Sequence, residues 1–223
     1  MRHAIRSLTC CALAAVFCLA AWAADETRPA IDLSTEKDAL RAIDLGLRWL
    51  AGKQHPDGHW SLAQYPAITA LVVRAFLRDP ARPPGHLSPE AQKGIDFILG
   101  CVREDGGIYV DVPGARGGGL RNYNTAICLA TLAETGTNRY DAVLRKARAY
   151  LVRSQHLGKD EYYGGWGYDA ELGRPYADVV NTAMAVVALH YTQFVVRESC
   201  KPPKLARERP AGAEAPLDPD WKA

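Results

Sequence analysis

Apolar residues recur with helical spacing from residue 35 onward, and the alternation that would mark strands is scarce. Thr35-Glu36-Lys37-Asp38 has the form of a capping box. Leu40, Ile43, Leu47 and Leu50 follow at spacings of three, four and three, which places them on one helix face. Gln54-His55-Pro56-Asp57-Gly58 combines a proline with a turn glycine and ends that helix. Pro66 suits the first turn of a second helix, whose stripe is Ile68, Leu71, Val72, Ala75 and Phe76. Ser88-Pro89-Glu90 caps a third helix carrying Ile95, Ile98, Leu99 and Val102, which Asp105-Gly106-Gly107 breaks. Asn122 opens a fourth through Ile127, Leu129, Ala130 and Leu132, halted by Gly136. Asn138 or Asp141 opens a fifth through Leu144, Tyr150 and Leu151 to Gln155. A sixth runs from about Asp178 through Met184, Val187 and Tyr191 toward Arg197.

The six helices read as three copies of one hairpin. Trp49-Leu50, Phe97-Ile98 and Tyr150-Leu151 correspond at offsets of 48 and 53 residues. Thr69-Ala70, Thr125-Ala126 and Thr182-Ala183 correspond at offsets of 56 and 57. A period near 50 with two helices per period predicts an all-α array of about three antiparallel helical hairpins, each hiding its apolar stripe with help from its neighbours.

The turns add a motif. Gln54, Asp57, Gly58 and Trp60 read Q-x-x-D-G-x-W, and Gln155 followed by Gly164-Gly165-Trp166 is a stretched version. A Gln near a helix end can bond orphaned terminal backbone groups, Gly supplies the positive φ of the turn, and the Trp ring can lie over the Gln and lock adjacent helices. The middle copy keeps only Asp105-Gly106. These turns resemble the QW repeats of the squalene–hopene and oxidosqualene cyclases and, more distantly, the β subunits of protein prenyltransferases, over about residues 38–197. The resemblance implies an α/α-toroid architecture. Three hairpins would make a partial ring or arc, and two copies pairing at its open edge, a homodimer, is one way to complete it.

The resemblance also makes a chemical test available. The bacterial cyclases carry Asp-x-Asp-Asp-Thr-Ala, whose middle Asp protonates a carbon–carbon double bond. The counterpart here is Asp178-Val179-Val180-Asn181-Thr182-Ala183, with Val180 at the donor position and Asn181 in place of the supporting carboxylate. Alkene protonation needs a strong, desolvated acid, and valine has no proton to give. No catalytic residue is therefore assigned, and Asp178 is expected to be an N-cap.

Other chemistry is sparse. His55, Asp57 and His59 crowd one turn, but their spacing matches no structural zinc motif, so no metal and no cofactor are expected. Gly114-Ala115-Arg116-Gly117-Gly118-Gly119 lacks the Gly-Lys-Ser/Thr ending of a phosphate loop and reads as a rim loop. Thr69, Thr125 and Thr182 are expected to bond backward within their own helices. The aromatic cluster Tyr162, Tyr163, Trp166, Tyr168 and Tyr176, with Asp178, is the candidate ligand-binding set. The resemblance implies that such rings line an apolar cavity; otherwise they wedge the third hairpin against its neighbour.

Composition changes the picture at the ends of the chain. Arg2, His3 and Arg6 precede an apolar run, Leu8 to Trp22, that closes on Ala21-Trp22-Ala23. Residues 1–24 are expected to be a secretory signal peptide, too short to span a bilayer, with the mature protein exported to the periplasm or the extracellular space. The repeat domain is assigned to residues 34–199, and the Pro/Ala/Glu-rich 200–223 to a disordered tail. The whole chain has 27 Lys plus Arg against 25 Asp plus Glu. Removing Arg2 and Arg6 leaves 25 of each, so there is no net pull toward nucleic acid or an anionic membrane. Cys101, Cys128 and Cys200 remain after cleavage; Cys101 and Cys128 are expected to be buried small apolar residues, with a bridge between them as the alternative.

The sequence points to an exported repeat protein that binds an apolar, isoprenoid-like ligand or a protein partner without cyclase activity. The alternative is a terpene cyclase or prenyltransferase-superfamily enzyme using an atypical acid.

Overall fold

Helix α1 spans Leu33–Ala51, α2 Pro66–Leu77, α3 Pro89–Gly100, α4 Arg121–Glu134, α5 Asp141–Arg153 and α6 Val179–Tyr191. These come from a computed structural model, which describes residues 33–83, 85–113, 119–169 and 176–196. Among the described residues the fold is all-α, with 3-10 turns at Asn138–Tyr140 and Gln193–Val195 and a lone bridge between Val102 and Ile108. The expected signal segment, residues 1–24, and the expected tail, residues 200–223, lie outside the described residues, and no described helix is long and apolar enough to cross a membrane. The chain divides into two compact units, Met1–Ala42 and Ile43–Ala223; the described part of the first is the opening half of α1.

Local sequence explains most helix starts. Ser88 accepts the Ala91 N–H at 3.1 Å, Pro66 and Pro89 sit in first turns, and Asp178 accepts the Asn181 N–H at 2.9 Å. The fifth helix has two starts: Thr137 caps the 3-10 turn, which passes into α5 at Asp141. Helix α2 has no side-chain cap of its own. Asn124, buried on α4, supplies one by accepting the Ala67 N–H at 3.1 Å.

Within the second unit, α4 is the hub, packed against α2 on one side and α6 on the other, with α5 also against it. Helix α3 packs on α2 as α5 packs on α4. Every internal first helix of a hairpin thus lies against the second helix of the hairpin before it. The core follows that arrangement: Val73, Ile95, Ile98, Leu129, Leu132, Leu144 and Leu151 are fully buried. Cys101 and Cys128 join it as free thiols. Burial pushes the Cys101 thiol up to about 11, so it stays protonated at neutral pH.

Helix α1 departs from expectation. None of its residues is buried; Leu40 and Ile43 are exposed, while Leu47 and Leu50 are half-buried against the core. The apolar stripe is present, but α1 has no preceding second helix among the described residues to pack on.

Candidate functional site

Each hairpin turn is fastened by the residues the sequence singled out. The Trp60 indole N–H donates to the Leu50 carbonyl at 2.7 Å, and the Trp166 indole N–H donates to the Leu151 carbonyl at 2.7 Å. Both rings are buried. Trp therefore adds a side-chain bond to a helix-end carbonyl that also accepts a backbone N–H, from Lys53 at Leu50 and from Ser154 at Leu151. The three motif threonines do not bond backward. Thr69, Thr125 and Thr182 accept the backbone N–H groups of Trp60 (3.1 Å), Ile108 (2.9 Å) and Trp166 (3.0 Å), joining each turn to the helix that follows. The turn N–H finds its acceptor in the hydroxyl on the adjoining helix.

Gln54 and Gln155 fasten the turn itself. Gln54 Nε2 donates to the Gly58 carbonyl and to the Glu90 carbonyl in the first turn of α3, both at 2.9 Å. Gln155 Nε2 donates to the Gly164 carbonyl at 2.8 Å. Asp57 Oδ1 is held by His59 Nδ1 at 2.6 Å, and the His55 and His59 rings stack at 4.2 Å. No group of three or more His, Cys, Asp or Glu among the described residues could hold a metal ion.

The turns differ in what lies over them. Gly58 and Gly106 both have positive φ, +98° and +91°, and a Cβ on either would strike the carbonyl of Lys93 on α3 or Lys146 on α5. Gly164 has the same left-handed φ, +88°, and a Cβ there would meet nothing within 4 Å. Where the first two turns are covered by the next hairpin's first helix, the third is bare among the described residues.

That bare place is an open groove of about 900 Å³, lined among others by Gln155, Tyr162, Tyr163, Gly165, Asp178 and Thr182. Of the predicted ligand set it gathers Tyr162, Tyr163 and Asp178, with the Tyr176 ring 6.1 Å from that of Tyr162. It does not gather the other two. Trp166 is buried as a fastener, and Tyr168 faces Tyr123 at 6.4 Å. Asp178 is an N-cap whose second oxygen takes the Asn181 side-chain amide at 2.5 Å, so both its oxygens are engaged. Val180 is half exposed on the first turn of α6.

Leu157, Glu161 and Ala177, which the sequence did not single out, also line it, as do Val179 and Ala183, which it named only within the Asp178–Ala183 motif and the Thr-Ala alignment. Their only signal is position, in the stretched turn and on the first turns of α6. At the rim, His156 Nε2 lies 2.9 Å from both Asp160 oxygens, and the Tyr162 backbone N–H also donates to Asp160. The Tyr162 N–H and His156 hold the Asp160 carboxyl below its ordinary range, whereas Glu161 raises the Tyr162 phenol. Elsewhere, the Arg121 guanidinium lies 4.9 Å over the Tyr109 ring and bonds Asp111 at 2.8 Å. Burial and the Asp105 hydrogen bond raise the Tyr109 phenol.

Compared with protein-family models, curated proteins and solved structures, the chain matches none.

Proposed function

We propose that the chain is an exported, non-catalytic repeat module that seats an apolar helical segment of a protein partner in the groove beneath Tyr162 and Tyr163. One observation supports this most: the groove stands where the other two motif turns carry a helix, over Gly164, which of Gly58, Gly106 and Gly164 is the one that no described residue covers. A helix laid in an apolar groove is a recurrent mode of recognition, and tyrosines at its rim offer broad contact area at small entropic cost. An open groove suits a helix better than an isoprenoid, which needs enclosure to shed its water. Balanced charge gives nucleic acid no claim on the site. No acid stands where a cyclase would need one, since Val180 occupies that position.

A photo-crosslinking amino acid in place of Tyr163, which is 68% exposed, tests the reading in the producing cell. Adducts of protein mass are expected. Adducts confined to lipid-sized molecules would overturn it.

A further inference from the structure

Resting on that reading, we infer that the helix seated in the groove is α1 of a second copy of this chain, so that copies add head to tail. The repeat register supplies the argument. Aligning Trp49, Phe97 and Tyr150 also aligns Gly46, Gly94 and Ala147. Gly94 is buried where α3 meets the preceding hairpin: a Cβ there would strike Val73 and come within 3.0 Å of the Trp60 ring. Ala147, at the same place on α5, is fully buried. This position is small because two helices approach closely across it. Gly46 has nothing within 4 Å. A glycine inside a helix costs about 1 kcal/mol relative to alanine, and no contact among the described residues offsets that at Gly46.

The aromatic series agrees. Phe97 packs 5.2 Å from His59 and Tyr150 packs 6.1 Å from Tyr109, each meeting a ring of the preceding turn. Trp49, the first of the series, is 63% exposed. The turn that lacks a visiting aromatic is the third, where Tyr163 stands exposed.

The receiving surface shows the complementary vacancy. Val73 on α2 and Leu129 on α4 occupy equivalent positions and are fully buried, whereas Val186, their equivalent on α6, is 43% exposed. Gln54 reaches both its turn and the next helix, but Gln155 reaches only its turn among the described residues. In the assembly, Gly46 lies against Val186 and Thr182, the Leu45 backbone covers Gly164 as Lys93 covers Gly58, and Trp49 meets the third turn's tyrosines. Donor and acceptor surfaces differ, so the contact is heterologous and grows into a chain unless its rotation closes a ring.

Light scattering on the full chain and on two variants tests this. Gly46→Leu blocks the donor surface while raising α1's helix propensity, and Val186→Glu blocks the acceptor at an exposed position. Wild type is expected to gain mass with concentration, and each variant alone to stay monomeric with unchanged circular dichroism. An equimolar mixture of the two is expected to form two-chain particles, because the intact α1 of one fits the intact groove of the other. Trp49→Glu replaces Gly46→Leu as a second donor-side block. A monomeric wild type, variants that assemble as wild type does, or a mixture that stays monomeric would each overturn the inference. A monomeric wild type whose Tyr163 probe still captures protein defeats only the identity of the helix; lipid-only adducts defeat the helix-seat reading as well.

Discussion

Thr125 is fully buried, and its hydroxyl accepts the N–H of Ile108, which is equally buried. Replacing it with valine keeps the volume and removes the acceptor, leaving a backbone donor stranded in the core. Thr125→Val is expected to lower unfolding stability by about 1–3 kcal/mol, the cost of an unmade buried hydrogen bond, with little change in the urea m-value. Urea denaturation followed by circular dichroism measures it. A loss of a few tenths would mean that the hydroxyl serves only its own helix. The sequence marked these threonines as equivalent but could not aim them: a hydroxyl near a helix start has carbonyls behind it and turn amides beside it. The choice is made by a turn that folds back from elsewhere. Trp60 and Trp166 are large rings with one donor beside a glycine turn, with few places to go when buried, yet Trp166 also read as a ligand-binding ring and is a fastener instead.

At the scale of elements, helix identity was legible wherever the apolar period met a cap, as at Ser88, Asp178 and the prolines of α2 and α3. Burial was not. A period of 3.6 states which face a helix can hide, and α1 shows that the stripe persists where the covering helix is missing. The aromatic cluster divided for a related reason: Tyr162, Tyr163, Trp166, Tyr168 and Tyr176 lie outside the helices, where no period fixes direction, so Trp166 and Tyr168 turned away from the groove that Tyr162 and Tyr163 line. The covered and bare turns give a measurable contrast. Alanine at Gly58, Gly106 or Gly164 must adopt positive φ, a cost of about 1–2 kcal/mol at each. At Gly58 and Gly106 the methyl also meets a helix carbonyl, and the forced shift adds about 1–3 kcal/mol. In the Gly46→Leu background, where the third turn stays bare, thermal unfolding is expected to rank Gly58→Ala and Gly106→Ala well below Gly164→Ala. Equal losses at all three would show that the next helix does not press on the first two turns.

For the whole molecule, repetition explains both what is present and what the chain leaves open. Each internal first helix covers the second helix before it, so among the described residues the stripe of α1 and the groove at α6 are the two surfaces without a partner in the array. The aromatic-lined space is that groove: Asp178 in it is an N-cap with Asn181 buried against it, its other carboxylate, Glu161, is exposed, and Val180 beside it is half exposed. Cyclising a polyene would require a neutral, strongly acidic group aimed into an enclosed cavity, with the carbocation shielded from water along its path. The groove is open, and Asp178 spends both oxygens on α6. Incubation of the purified protein with squalene is therefore expected to return squalene alone by mass spectrometry. Restoring one carboxylate, as in Val180→Asp, is expected to leave that result unchanged, because position 180 sits at the solvent edge of α6, where an aspartate is hydrated and ionised. A cyclised product from either protein would show that the groove encloses its contents and supplies an acid after all.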